Sequence, residues 1–170
     1  MDSYRIIDKL HEHRKVFNEL LSPVREEEYL WKPQPEKWCL LEIVCHLHDE
    51  EREDFRTRLQ YVLETPEKAP PSFDPVAWVQ ERNYRGKDYT EMVRKFLDER
   101  DSSVIWLRSL SHPQWDQSYH HPTLGPRTAR MYLTNWLAHD YLHIRQITKL
   151  KYDYLKALSG EDLQYAGNWV

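Results

Sequence analysis

Glycine is scarce, at 4 of 170 residues, and apolar–polar alternation of strand length is absent. Both absences argue against a β architecture and for helices packed on bulky side chains. No stretch approaches the roughly 18 consecutive apolar residues of a membrane span, so no membrane partner is expected. The opening MDSYRIIDKLHEHRK lacks the charged-then-apolar order of a secretory signal. Cys39 and Cys45 are the only cysteines; they fall in one helical segment on different faces and cannot bond to each other there. A reducing, cytoplasmic setting is the expectation. The net charge is −4, with no long block of like charge, which gives no electrostatic reason to expect nucleic acid as a partner. Internal repeats and low-complexity tracts are missing as well.

What remains is aromatic and helical. Seven Trp and 11 Tyr accompany 40% apolar and 31% charged residues, the composition of a soluble globular chain, read as one domain over residues 1–170. Ile6, Leu10, Phe17, Leu20 and Leu21 form an apolar stripe that also carries His13. Trp31 to Trp38 contains Pro33 and Pro35 and is a connector. A second helix is expected from about Leu40 to Glu64, with Cys39 where Ser or Thr would normally cap it. Proline-rich loop follows to Asp74, then a short helix from Asp74-Pro75 to about Asn83. Asp88 and Glu91 have cap-to-acid spacing and open a third helix, with an apolar face from Met92 to Leu110. Ser111 to Arg127 reads as loop, and a fourth helix runs from near Thr128 to about Leu150, with a shorter helix or tail beyond. Four long helices with two long connections indicate an all-α fold, a four-helix bundle.

The chemistry sits in two histidine-bearing segments. In LAHDYLHIRQI (137–147), His139 and His143 are four apart and so share one helix face. Tyr132, Trp136, Ile147 and Leu150 lie on that face too, which turns both rings into the bundle. Such a pair is a common grip on a transition metal; it is also compatible with two core histidines bonded to backbone or carboxylates. Unpaired buried imidazoles are costly, and a metal would satisfy both if another helix supplied a third ligand. VCHLHDEE (44–51) offers His46 and His48. By periodicity His48 lies nearer the middle of the apolar arc and His46 on its flank, and the flank also suits a ligand at a cavity edge.

KWCLLEIVCHLHDEE resembles the Trp-[Ser/Thr]-x-x-Glu-[Ile/Val]-x-x-His-Leu-x-Asp-x-Glu segment of DinB-like (DinB/YfiT) proteins. LAHDYLHIRQI is similar to that family's second signature, His-Asp-x-x-His-x-x-Gln-Ile. The resemblance spans nearly the whole chain. It implies a bundle of four helices holding a metal on three histidines, one from the second helix and two from the fourth. Counted from Trp38 these are His46, His139 and His143. The departures are Cys39 at the helix cap and His48 where a small residue is usual. Three neutral nitrogens suit zinc, nickel or another divalent transition metal without choosing between them. The resemblance further implies a metal-dependent hydrolase or a thiol-dependent transferase, with a small-molecule substrate and a low-molecular-weight thiol as partners.

Glu50, one turn after His46, is the candidate general base or extra ligand, against the plainer reading that it orients a ligand or is solvated. Asp49 and Asp140 match acidic motif positions or are plain surface residues. His120 and His121 line a pocket mouth or are exposed, and Gln146 shares the inward face. Two further readings stand beside the enzyme: a non-catalytic metal-binding stress-response protein, and a structural bundle that forms a homodimer through an exposed apolar face.

Overall fold

The computed structural model describes residues 2–169, organised as four helical rods. The first rod is α1 (Ser3–Leu21), opened by the Asp2 side chain, which accepts from the Tyr4 N–H. A short α2 (Glu26–Tyr29) sits in the connector. The second rod covers the expected span, Leu40 to Glu64, in three pieces: α3 (Leu40–Glu50), a π-helical turn (Glu51–Arg56) and α4 (Thr57–Glu64). The Cys39 N–H donates to the Glu42 carboxylate at 2.9 Å, so this half of the box closes with a cysteine at the cap. After the short α5 (Trp78–Glu81) and a 3₁₀ turn (Tyr84–Gly86), the third rod is α6 (Tyr89–Ser109), where Asp88 accepts from the Glu91 N–H at 2.7 Å. The fourth is α7 (Ala129–Ser159), capped by Thr128 through the Met131 N–H at 3.1 Å.

Two sequence expectations need correction. The segment 111–127 is not all loop: β1 (Ser118–His121) and β2 (Gly125–Thr128) form an antiparallel hairpin, with Tyr119 opposite Arg127 and His121 opposite Gly125. Gly125 takes φ +71°, which a side chain would strain. The fourth helix does not end near Leu150. It runs unbroken to Ser159 and stops at Gly160, whose φ of 69° makes the left-handed C-terminal cap.

α1 packs against α6 and α7, α3 against α6 and α7, and α4 against α7. The buried side chains fall into two apolar clusters, one around Phe17, Leu47 and Phe96, the other around Leu10, Leu59 and Trp136. Polar residues separate them on every rod. His13 lies between Leu10 and Phe17, Glu50 and Glu51 between Leu47 and Phe55, Arg100 between Leu97 and Val104, and Asp140 and His143 between Leu137 and Ile147. The hydrophobic core is therefore interrupted at mid-height by a polar layer, and that layer holds the site. Among the described residues no helix is long and apolar enough to cross a membrane.

Candidate metal centre

α3 and α7 bring His46, His139 and His143 together: one ligand-capable atom from each lies within 4.8 Å of the other two, an arrangement able to hold a metal ion. His139 and His143 are one turn apart on α7, and their Nε2 atoms stand 2.9 Å from each other. The His46 ring faces both, with centroids 5.5 Å from His139 and 5.0 Å from His143. Trp38, at the foot of α3, packs on the other side of the His46 ring at 4.8 Å. That contact buttresses the His46 ring.

Periodicity pointed to His48 as the buried ring, and the structure reverses this. His46 is 5% exposed and lies in the cluster. His48 turns away from it and pairs through Nδ1 with the Asp49 carboxylate at 3.0 Å. The reason is visible along α3: every residue from Leu40 to Leu47 is buried. A helix covered on all sides has no single apolar arc from which to read an inward face.

Glu50 is buried and reaches the same cluster. Its carboxylate oxygens lie 3.2 Å from His139 Nε2 and 3.8 Å from His46 Nε2. Burial by itself would raise the Glu50 carboxyl; the bond to His139 and the neighbouring rings outweigh it and hold the group below its usual range. Burial drives His46 down to about 4. It drives His143 to about 3, with His139 and His46 adding to the fall and the Gln146 side chain opposing it. Both rings are thus neutral at neutral pH, the form whose nitrogen lone pair binds a cation. The Nδ1 atoms of His46 and His143 are buried without a hydrogen-bond partner, while Nε2 of each faces the cluster. Three imidazoles and a carboxylate aimed at one another fit a divalent transition metal.

Glu50 and His139 connect the cluster to an open cleft of about 660 Å³, which the hairpin and the start of α7 also line; His46 and His143 are buried behind them. The π-helical turn begins one residue after Glu50 and carries Asp54 and Phe55 into this cleft. Turns of this kind widen a helix locally and occur often beside functional sites. Phe55 packs on His139 at 4.9 Å and stacks on Trp136 at 5.7 Å. Asp54 pairs with Arg58, and burial pushes its carboxyl up to about 6.

The other sequence candidates divide. His121 lines the cleft, whereas His120 is exposed. Gln146 is exposed and lines a separate groove beside Trp38 rather than the bundle interior. Asp49 and Asp140 are not surface residues. Asp49 is buried and accepts from the Tyr84 hydroxyl at 2.8 Å. Asp140 takes both arms of the buried Arg100 guanidinium, each at 2.7 Å. Sequence reading missed Arg100, Asp54 and the cleft-facing Arg127. Arg100 stands in the polar run DERDSS, which carries no signal of burial.

A helical bundle with three histidines from two rods beside a cleft defines a class, and the comparisons agree with it. The chain belongs to the DinB superfamily, whose family model matches residues 9–147. Among solved structures it is similar to YfiT from Bacillus subtilis, described as a probable metal-dependent hydrolase with an unusual four-helix bundle topology. The TM-score is 0.77 at 19% identity, over 94% of this chain and 89% of that one. No curated protein matches the sequence.

Proposed function

We propose that the chain is a metal-dependent enzyme, a hydrolase or a thiol-dependent transferase, in which His46, His139 and His143 hold a divalent transition metal, zinc or nickel. The observation that carries this is the convergence of three ring nitrogens within 4.8 Å of one another, with His139 and Glu50 lining an open cleft. The description of YfiT as a probable metal-dependent hydrolase supports it by analogy of fold. When bound, such an ion supplies Lewis acidity at neutral pH, polarising a carbonyl or favouring the ionised form of a water or thiol.

The chain's own residues supply the rest. His139 and His143 are set by one turn of α7, and His46 is held against them by Trp38. Glu50 lies at hydrogen-bond distance from the cluster and accepts the proton of the incoming nucleophile. Phe55 lines the cleft beside His139 and, stacked on the buried Trp136, gives it an apolar edge. In a transferase the second substrate is a low-molecular-weight thiol, whose sulfur occupies the position that water takes in a hydrolase.

A second reading has its own observation. Glu50 already stands 3.2 Å from His139 Nε2, close enough to complete a closed set of four ligands in a non-catalytic metal protein. Glu50→Gln separates the two. The enzyme reading expects about one metal per chain to be retained, with turnover of ester, amide and thiol-transfer probes falling by about 10² or more. The closed-site reading expects metal affinity itself to fall with no turnover to lose. Elemental analysis of untagged protein and of the single His46→Ala, His139→Ala and His143→Ala variants tests the ligand set; full occupancy surviving His46→Ala would sink it.

A further inference from the structure

The cleft beside the cluster has a charged wall. Two guanidinium groups line it, Arg58 and Arg127. Arg58 is already engaged: it pairs with Asp54 and lies over the Phe73 ring at 4.7 Å. Arg127 has no carboxylate partner among the described residues. Its recorded polar contact is with the Met131 thioether, at 3.5 Å, a weak acceptor for a guanidinium. The hairpin fixes where Arg127 points. Gly125 pairs directly with His121, and Arg127 is two residues further along the same strand, so His121 and Arg127 share a face. Both line the cleft.

His121 adds a second donor. Its Nδ1 accepts the backbone N–H groups of Thr123 and Leu124, each at 3.2 Å. In the neutral ring the hydrogen therefore sits on Nε2, free to donate. The same cleft also carries the apolar side chains of Phe55, Leu124 and Leu142.

We propose that Arg127 is the substrate-anchoring residue of this cleft, recognising a monoanionic carboxylate on a substrate whose apolar body lies on Phe55, Leu124 and Leu142. One unpaired guanidinium balances one negative charge, and its planar fork matches the two oxygens of a carboxylate. A phosphomonoester would bring a second negative charge, for which the cleft wall offers no second unpaired guanidinium, Arg58 being paired with Asp54. The inference rests on the cleft being the substrate site of the proposed enzyme.

The test uses the full chain, metal-loaded and metal-stripped, and a matched probe pair: 4-phenylbutyrate and its neutral isostere 4-phenylbutyramide, titrated by NMR. Wild type is expected to prefer the acid by about tenfold or more. Arg127→Gln is expected to abolish that preference, chiefly by weakening binding of the acid, and Arg127→Lys to keep part of it through charge without the fork. The preference is expected to persist after metal removal, because it is read by the hairpin. It is overturned if Arg127→Gln keeps the preference, if wild type shows none (binding of neither probe included), or if the preference disappears with the metal, which would put the acid on the histidine cluster. Metal content measured on the same samples reports separately on the proposed centre. A preference that follows Arg127 in a protein unable to hold metal leaves this inference standing while that reading falls.

Discussion

Glu50 and Glu51 are neighbours in the chain, both buried, and they enter opposite kinds of polar cluster. Glu51 joins a sealed one. Its carboxylate takes both forks of Arg100 at 2.7 and 2.8 Å and the Trp136 indole N–H at 2.9 Å. Arg100 continues to Asp140, and Asp140 meets His13 Nδ1 at 3.0 Å. Burial alone would raise the Asp140 carboxyl; Arg100 and then His13 outweigh it and hold it low. The polar groups of this cluster find their partners across α1, α6 and α7. Glu50 joins an open cluster, where ring nitrogens from three histidines crowd on one another beside its carboxylate and a cleft leads to solvent. His139 and Asp140 repeat the division on α7. Burial of polar groups is common to both clusters and so does not identify function. Pairing does: one cluster is tied off by ion pairs and hydrogen bonds, and the other brings together three ligand-capable nitrogens, a group able to hold a metal ion.

The largest effect that tests this contrast is removal of the central cation. Arg100→Ala leaves Glu51 and Asp140 buried and unanswered, which costs about 3–5 kcal/mol. Urea unfolding measures it, and the remaining folded protein should still take up metal. Next comes the open cluster. His139→Ala should change metal-free stability by only about 1 kcal/mol. It should abolish the stabilisation that metal confers on wild type, about 2.7 kcal/mol at a hundredfold excess over Kd. If His139→Ala instead destabilises the metal-free chain as severely as Arg100→Ala, the histidines are structural and the contrast fails.

Mild acid separates the clusters without mutation. The His46 and His143 pKa values lie below the ordinary 6.5, at about 4 and about 3, because burial penalises the charged ring. A depressed folded value means that the unfolded chain binds protons the native chain refuses. Stability is therefore complete above about pH 6.5 and is lost as pH falls, at about 1.4 kcal/mol per pH unit for each ring. Asp54 works in reverse: its carboxyl is raised to about 6, so protonation there favours the folded state and offsets about one ring between pH 6 and 4. The metal-stripped protein should lose about 1.4 kcal/mol per unit in that window, and Asp54→Asn should roughly double the slope. Asp140, depressed from 3.8, contributes only below that range. A flat stability profile from pH 6.5 to 4 would contradict the burial assigned to the rings.

Which parts of this were legible beforehand follows from how much one-sided burial each segment has. α1, α6 and α7 each keep a wet face, so their apolar periodicity, the cap at Asp88 and the start of the fourth helix near Thr128 read correctly, though α7 runs on to Ser159. The hairpin was unreadable because its strands are four residues long and no face of them is fully buried. The π-helical turn has no compositional mark in EREDFR. The pair His139 and His143 was readable from spacing alone, since four residues on any helix share a face. The third member was not, because α3 is enclosed on all sides; only the motif registered on Trp38 pointed to His46.

The smallest expected effect is the sharpest on that last point. His48 lies two residues from His46, yet it serves a third polar group on the opposite side of α3, where Asp49 also meets Arg82 and Tyr84, each at 2.8 Å. Because Asp49 keeps those two partners, His48→Ala removes one of several bonds to the carboxylate, a loss of about 1 kcal/mol or less. Metal stoichiometry should stay at wild-type level, while His46→Ala should lose the metal. Two substitutions of the same residue type, two positions apart on one helix, should thus divide cleanly between metal content and a slight change in the unfolding midpoint. Metal loss on His48→Ala would move the centre to the other face of α3, away from the cleft.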